Sequence, residues 1–102
     1  MSRKPTSPGE ILYHEFLLPM GLTQKSLADH IGCDYKVINR IINEKAAVST
    51  EMALKLASAL NTSPDFWLNA QMTLELWELR GLKNKIKPIA ALRRTSRKKL
   101  IK

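Results

Sequence analysis

Lys36, Asn39, Arg40 and Asn43 recur at intervals of three, four and seven residues, and Ile38, Ile41 and Ile42 fall between them. On a helix that spacing puts the polar set on one face and the isoleucines on the other. The polar face carries the chemistry for reading duplex DNA: an Asn amide can bond bidentately to adenine, and an Arg guanidinium to guanine or to a phosphate. Tyr35 stands at the start of the same helix, where its ring could touch a sugar or a thymine methyl, or lie over the preceding helix. Upstream, Gln24 and Lys25 follow the capping residue Thr23, and the open N–H groups of a helix start suit a phosphate. Lys45 adds a cation in the loop beyond. The candidate DNA-binding set is therefore Gln24, Lys25, Tyr35, Lys36, Asn39, Arg40, Asn43 and Lys45. A solvated helix face would show the same periodicity, so the surrounding elements have to decide.

Those elements are legible from their caps. Ser7-Pro8-Gly9-Glu10 has the form of a capping box, with Ile11, Leu12, Phe16 and Leu17 as the apolar stripe of a first helix, 8–18, which Pro19 is expected to stop. Thr23 opens a two-turn second helix with Leu27, Ala28 and Ile31 inward, and Gly32 is placed to end it. Asp34 caps the third helix, 35–43. Ser49 starts a fourth with Met52, Leu56, Ala57 and Leu60 inward. Ser63-Pro64-Asp65 starts a fifth that runs to Arg80, where Gly81 and Leu82 fit a Schellman ending. No stretch alternates with period 2, so the expectation is an all-α domain of five helices with a helix-turn-helix at the second and third. In it, Cys33 is expected as a small core residue. Trp67, Leu74 and Trp77 on the fifth helix are either core or dimer interface. An interface is needed, because so short a recognition helix covers only a few base pairs and useful specificity takes two copies.

Resemblance adds to this reading. Leu22-Thr23-Gln24-Lys25-Ser26-Leu27-Ala28-Asp29-His30-Ile31-Gly32 resembles the core of the lambda-repressor/Cro-like (XRE) helix-turn-helix proteins. More narrowly, Arg40-Ile41-Ile42-Asn43-Glu44-Lys45, Ser49 to Ala57, and Thr62-Ser63-Pro64-Asp65-Phe66-Trp67-Leu68-Asn69 are similar to the HigA/VapI antitoxins, over about residues 7–80. The resemblance implies a homodimer that binds a palindromic operator of its own operon, represses it, and sequesters a HigB-like ribonuclease toxin. The family commonly has glycine after the third helix; here Glu44 stands there, a departure that bears on the loop's conformation and its phosphate contacts.

Charge divides the chain. It has 102 residues and a formal charge of +8, yet residues 83–102 hold nine basic groups and no acid, which leaves 1–82 at −1. The basic balance thus belongs to a tail, and the organisation expected is an N-terminal arm 1–6, a helix-turn-helix domain 7–82 and a basic tail 83–102. Pro88 interrupts the hint of an amphipathic turn at Ile86, Ile89 and Ala90, so the tail reads as disordered or partly helical, and as a phosphate tracker in preference to a partner-docking or solubilising segment. Other classes fit less well. Catalysis by a small ribonuclease needs clustered His, Arg or acidic groups, and none are clustered. His14, His30 and Cys33 lack metal-ligand spacing, so neither metal nor cofactor is expected. An architectural basic protein would explain the tail but not the two-faced third helix. No run approaches the ~20 apolar residues of a membrane span, and the start is not a secretory signal, so a cytoplasmic protein is expected. The remaining alternative is a phage-type repressor with no toxin partner.

Overall fold

The computed structural model describes residues 3–92, and Ser7 caps its first helix. The Ser7 hydroxyl accepts from the Glu10 N–H at 3.1 Å, and the Glu10 carboxylate accepts from the Ser7 N–H at 2.9 Å, the reciprocal box that the sequence implied. Helix α1 then runs in three consecutive pieces: α-helical Pro8–Ile11, π-helical Leu12–Leu17 and α-helical Leu18–Met20. The expectation that Pro19 stops it is corrected. Proline lacks an N–H and its ring crowds the carbonyl four residues back. The wider π register, in which the Leu18 N–H donates to Tyr13, comes just before Pro19 and lets the helix continue. It ends at Gly21, φ 66°, where the Leu22 N–H reaches the Leu17 carbonyl at 2.9 Å.

Four more side-chain caps appear where expected. Thr23, Asp34, Ser49 and Ser63 start α2 (Gln24–Ile31), α3 (Tyr35–Ile42), α4 (Thr50–Leu60) and α5 (Pro64–Glu78), each accepting from a backbone N–H of the first turn. Gly32, φ 78°, ends α2. At the end of α5 the structure differs from the expectation. Gly81 is not left-handed; the chain tightens at Leu79 into the 3₁₀ segment Arg80–Lys85, and the Arg80 guanidinium, stacked 3.9 Å from the Trp77 ring centre, donates to the Trp77 carbonyl at 2.7 Å. That side chain supplies the capping bond that a glycine turn was expected to provide. A single-turn helix, α6 (Ile89–Leu92), follows Pro88. No strand occurs among the described residues, and the fold is all-α.

Leu12, Leu17, Ile38, Leu56 and Trp67 are fully buried and form the centre of the core. The Trp67 indole N–H donates to Thr62 Oγ1 at 2.7 Å, which satisfies the one polar atom of its ring. Cys33 packs against the edge of this core and is half-buried. Two contacts fix α3 in place. Gly9 lies against the backbone of α3 so closely that a Cβ there would come within 2.1 Å of the Ile41 oxygen. Beyond α3, Gln71 of α5 accepts from the Val48 N–H at 3.0 Å and ties down the following loop.

Candidate nucleic-acid interface

Helix α3 seats its apolar face, Ile38 and Ile41, against α1 and the core, and turns its polar face to solvent. The open N-terminus of α2 lies beside that face. Thr23 Oγ1 accepts from the Ser26 N–H and Ser26 Oγ returns a bond to the Thr23 N–H, both at 3.0 Å, so the cap is closed on itself and the first amides, Gln24 and Lys25, stand at its outer edge. A helix N-terminus of this kind carries partial positive charge toward solvent.

The structure gathers half of the candidate residues into one bonded set. Asn39 Nδ2 donates to Gln24 Oε1 at 3.0 Å, linking α2 to α3 across fifteen residues of sequence, and lies 3.5 Å from the Tyr35 hydroxyl. Asn43 Nδ2 donates to the Asn39 carbonyl at 2.9 Å and to Asn39 Oδ1 at 3.2 Å. Gln24 and Asn39 are half-buried, while Tyr35 and Asn43 are exposed. Tyr35 thus stands over the Asn39 amide at the α2–α3 junction, 45% exposed.

The cations are placed differently. Lys36 is exposed, and Lys25 is exposed with its ammonium 3.3 Å from Asp29, a solvated pair that leaves it free to exchange partners. Arg40 does not project freely: its guanidinium donates to the Lys45 carbonyl at 2.9 Å, and the Lys45 N–H donates back to the Arg40 carbonyl at 2.7 Å. Arg40 therefore clamps the loop after α3 and presents Lys45 next to it. In that loop Glu44 takes φ 58°, the left-handed conformation that favours glycine. Lys4 of the N-terminal arm donates to the Glu44 carboxylate at 2.9 Å, and this bond together with the carboxylate charge raises the Lys4 pKa. The loop thus adopts a left-handed turn without a glycine, and the residue that makes the turn is tethered to the arm.

Val37 was missed by the sequence reading. It is an apolar side chain 37% exposed beside Lys36 in the first turn of α3, well suited to a thymine methyl. The signal available was a β-branched residue breaking an otherwise polar face.

Of the three α5 residues read as core or dimer interface, two belong to the interior of a single chain. Trp67 is 0% and Leu74 5% exposed within a single chain, so neither has surface to offer a partner; Trp67 is held by the packing of α1 and α4 against α5. Trp77 is half-buried beneath Arg80. Among the apolar residues that α5 and its extension expose, which also include Phe66 and Leu82, Met72, Leu76 and Leu79 fall at four- and three-residue intervals on one face. No three His, Cys, Asp or Glu side chains are gathered as metal ligands among the described residues, and no helix there is long and apolar enough to cross a membrane. The tail expected over 83–102 lies, for 93–102, outside the described residues; its described part is exposed to residue 90.

Residues 14–67 match the family described as Helix-turn-helix, HTH_3. The chain is 44% identical over 79 residues to antitoxin HigA-1 of Vibrio cholerae, an alignment covering 78% of this chain and 74% of the relative. Among solved structures it is similar to Pseudomonas aeruginosa antitoxin HigA with higBA promoter, at TM-score 0.76 and 30% identity over 82% of this chain and 97% of the other. It is also similar to antitoxin GraA in complex with its operator, at TM-score 0.77 and 33% identity, covering 86% and 94%.

Proposed function

Since the chain belongs to the helix-turn-helix family, within its HigA-type XRE branch, we propose that it is a sequence-specific DNA-binding autorepressor and the antitoxin of a toxin–antitoxin pair. The observation that carries the DNA reading is the bonded set Gln24–Asn39–Asn43 on the solvent side of α2 and α3, flanked by Lys25, Lys36 and Lys45. Asn39 and Val37 face base edges in the major groove, and Tyr35 contacts a sugar or a thymine methyl beside them. Gln24, the α2 N-terminus, Lys25, Lys36 and Lys45 hold phosphates, Arg40 holds the loop that meets them, and Asn43 supports the reading face through its bonds to Asn39. The unit that does this is 7–82, and the basic tail 83–102 adds affinity without sequence information.

The binding form is a homodimer on a palindromic operator in the cytoplasm, its half-sites about one helical turn, ~34 Å, apart. Met72, Leu76 and Leu79 provide the exposed apolar face from which such a dimer is built. The second partner is a HigB-like ribonuclease, which this chain neutralises; the support is the kinship to HigA antitoxins. DNA binding is tested by fluorescence anisotropy on the duplex upstream of the gene and on a scrambled duplex. Asn39→Ala should lose about 1–3 kcal/mol on the first and little on the second. Equal loss on both removes the base-reading role. Co-expression with the neighbouring reading frame tests the antitoxin role: a toxic product that copurifies with this chain and loses toxicity supports it. A neighbour that is neither toxic nor bound leaves a repressor alone.

A further inference from the structure

Three carboxamides in the interface form a chain whose direction is set by one backbone oxygen. A backbone carbonyl can only accept, so the end of the Asn43 amide lying 2.9 Å from the Asn39 carbonyl must be its NH₂. The same nitrogen donates to the Asn39 side chain at 3.2 Å, which obliges Asn39 to face it with Oδ1. Asn39 then turns Nδ2 toward α2, and Nδ2 finds Gln24 Oε1 at 3.0 Å. Gln24 in turn is left with its own Nε2 facing away from the set. Each amide thus fixes the orientation of the next, from α3 back to the N-terminus of α2.

Part of the Asn39 amide is left unbonded for DNA. Asn39 Nδ2 has two hydrogens, one given to Gln24; the 3.5 Å approach of the Tyr35 hydroxyl is too long to hold the other firmly. Oδ1 has two lone pairs, one taken by Asn43. One N–H and one lone pair are left, the pair that adenine N7 and N6 require. We propose that Gln24 and Asn43 are positioning residues that lock Asn39 in its adenine-reading orientation, so that each half-site demands an A·T pair where Asn39 meets it. The inference rests on the DNA-binding reading above and adds to it the base and the two residues that impose it.

The test uses the full chain and an operator selected from a random duplex pool. Affinities are then measured by anisotropy on the selected duplex, on duplexes with the Asn39-facing A·T pair replaced, and on one with 7-deazaadenine in place of that adenine. The unmodified protein should bind the altered duplexes about tenfold more weakly, and Asn39→Ala should abolish the difference. Gln24→Glu keeps an acceptor for Asn39 but turns a carboxylate toward the phosphates; it should weaken binding to every duplex while keeping the tenfold ratio. Gln24→Ala, and Asn43→Asp, which cannot donate to the Asn39 carbonyl, should each cut the ratio to about threefold or less. Circular dichroism on each variant separates lost positioning from unfolding. A ratio unchanged in both Gln24→Ala and Asn43→Asp, with Asn39→Ala still abolishing it, overturns the positioning role and leaves base reading by Asn39 intact. A ratio that survives Asn39→Ala overturns the proposal at its root, and selection of no sequence by the unmodified protein overturns the DNA-binding reading along with it.

Discussion

Replacing Gly9 by alanine adds one methyl group, and it should be among the most damaging single-methyl changes available in this chain. The added Cβ would stand 2.1 Å from the Ile41 oxygen, 2.7 Å from the Ile42 Cα and 2.9 Å from the Ile41 carbonyl carbon. All three are backbone atoms of α3, so no side chain can rotate away to make room. To restore ordinary contact α1 and α3 must part by roughly an ångström, in a core packed as densely as an organic crystal. Overpacking of this kind costs about 1–3 kcal/mol, and the obstruction by backbone places Gly9→Ala toward the upper end. Alanine returns about 0.5–1 kcal/mol through its better helix propensity, which leaves a net loss of about 2 kcal/mol. For a domain of this size that lowers the melting temperature by roughly 8–16 °C. Gly81→Ala is the control, since nothing lies within 4 Å of the point its methyl group would occupy and its φ is not positive; it should stay within about 0.5 kcal/mol of the parent. Thermal unfolding of both variants by circular dichroism decides the matter. A Gly9→Ala melting temperature within a few degrees of that of Gly81→Ala would refute the claim that α3 is seated on the glycine backbone. Because α3 carries Asn39, the folded fraction of Gly9→Ala should also discriminate operator from scrambled DNA less well.

Three further outcomes follow from the same geometry. Ser7→Ala removes the buried hydroxyl that accepts from the Glu10 N–H while keeping the Ser7 N–H that donates to the Glu10 carboxylate, and denaturant unfolding should show a loss of about 1 kcal/mol, with range 0.5–2. Glu44→Ala and Glu44→Gly both lose the Lys4 partner, so their difference isolates the left-handed backbone; the glycine variant should be the more stable by about 0.5–1 kcal/mol in paired melts. Burial raises the Cys33 thiol above its ordinary 9.0, so the folded state disfavours the thiolate. Its contribution to stability is intact below about pH 9 and is lost as pH climbs through the raised value, and iodoacetamide should alkylate Cys33 at pH 8 more slowly than it does the urea-unfolded chain.

The residues that the sequence settled by itself are those whose bonding partners lie within one helical turn. Ser7 with Glu10, Thr23 with Ser26, Asp34 with Lys36, Ser49 with Met52 and Ser63 with Phe66 close over two or three residues, so residue type and spacing were enough to place the start of every helix through α5. The two faces of α3 were legible for the same reason, because burial of Ile38 and Ile41 follows from period alone. What escaped depended on groups far apart in the chain. Local sterics make Pro19 a stop, while the structure carries the helix through it in a π register whose ends, Leu12 and Leu17, are both clamped in the core. Glu44 takes a glycine's conformation in a loop tethered from Lys4, forty residues away. Trp67 could have been dimer interface or core on periodicity, and only the packing of α1, α4 and α5 around it buried it completely. The same holds for the candidate site: its members were named from their chemistry, but the bond from Asn39 to Gln24 spans fifteen residues and forms only where α2 and α3 pack against each other. A bond within a turn is decided by the backbone geometry of the turn itself, whereas a bond between helices is decided by the tertiary packing that brings them together.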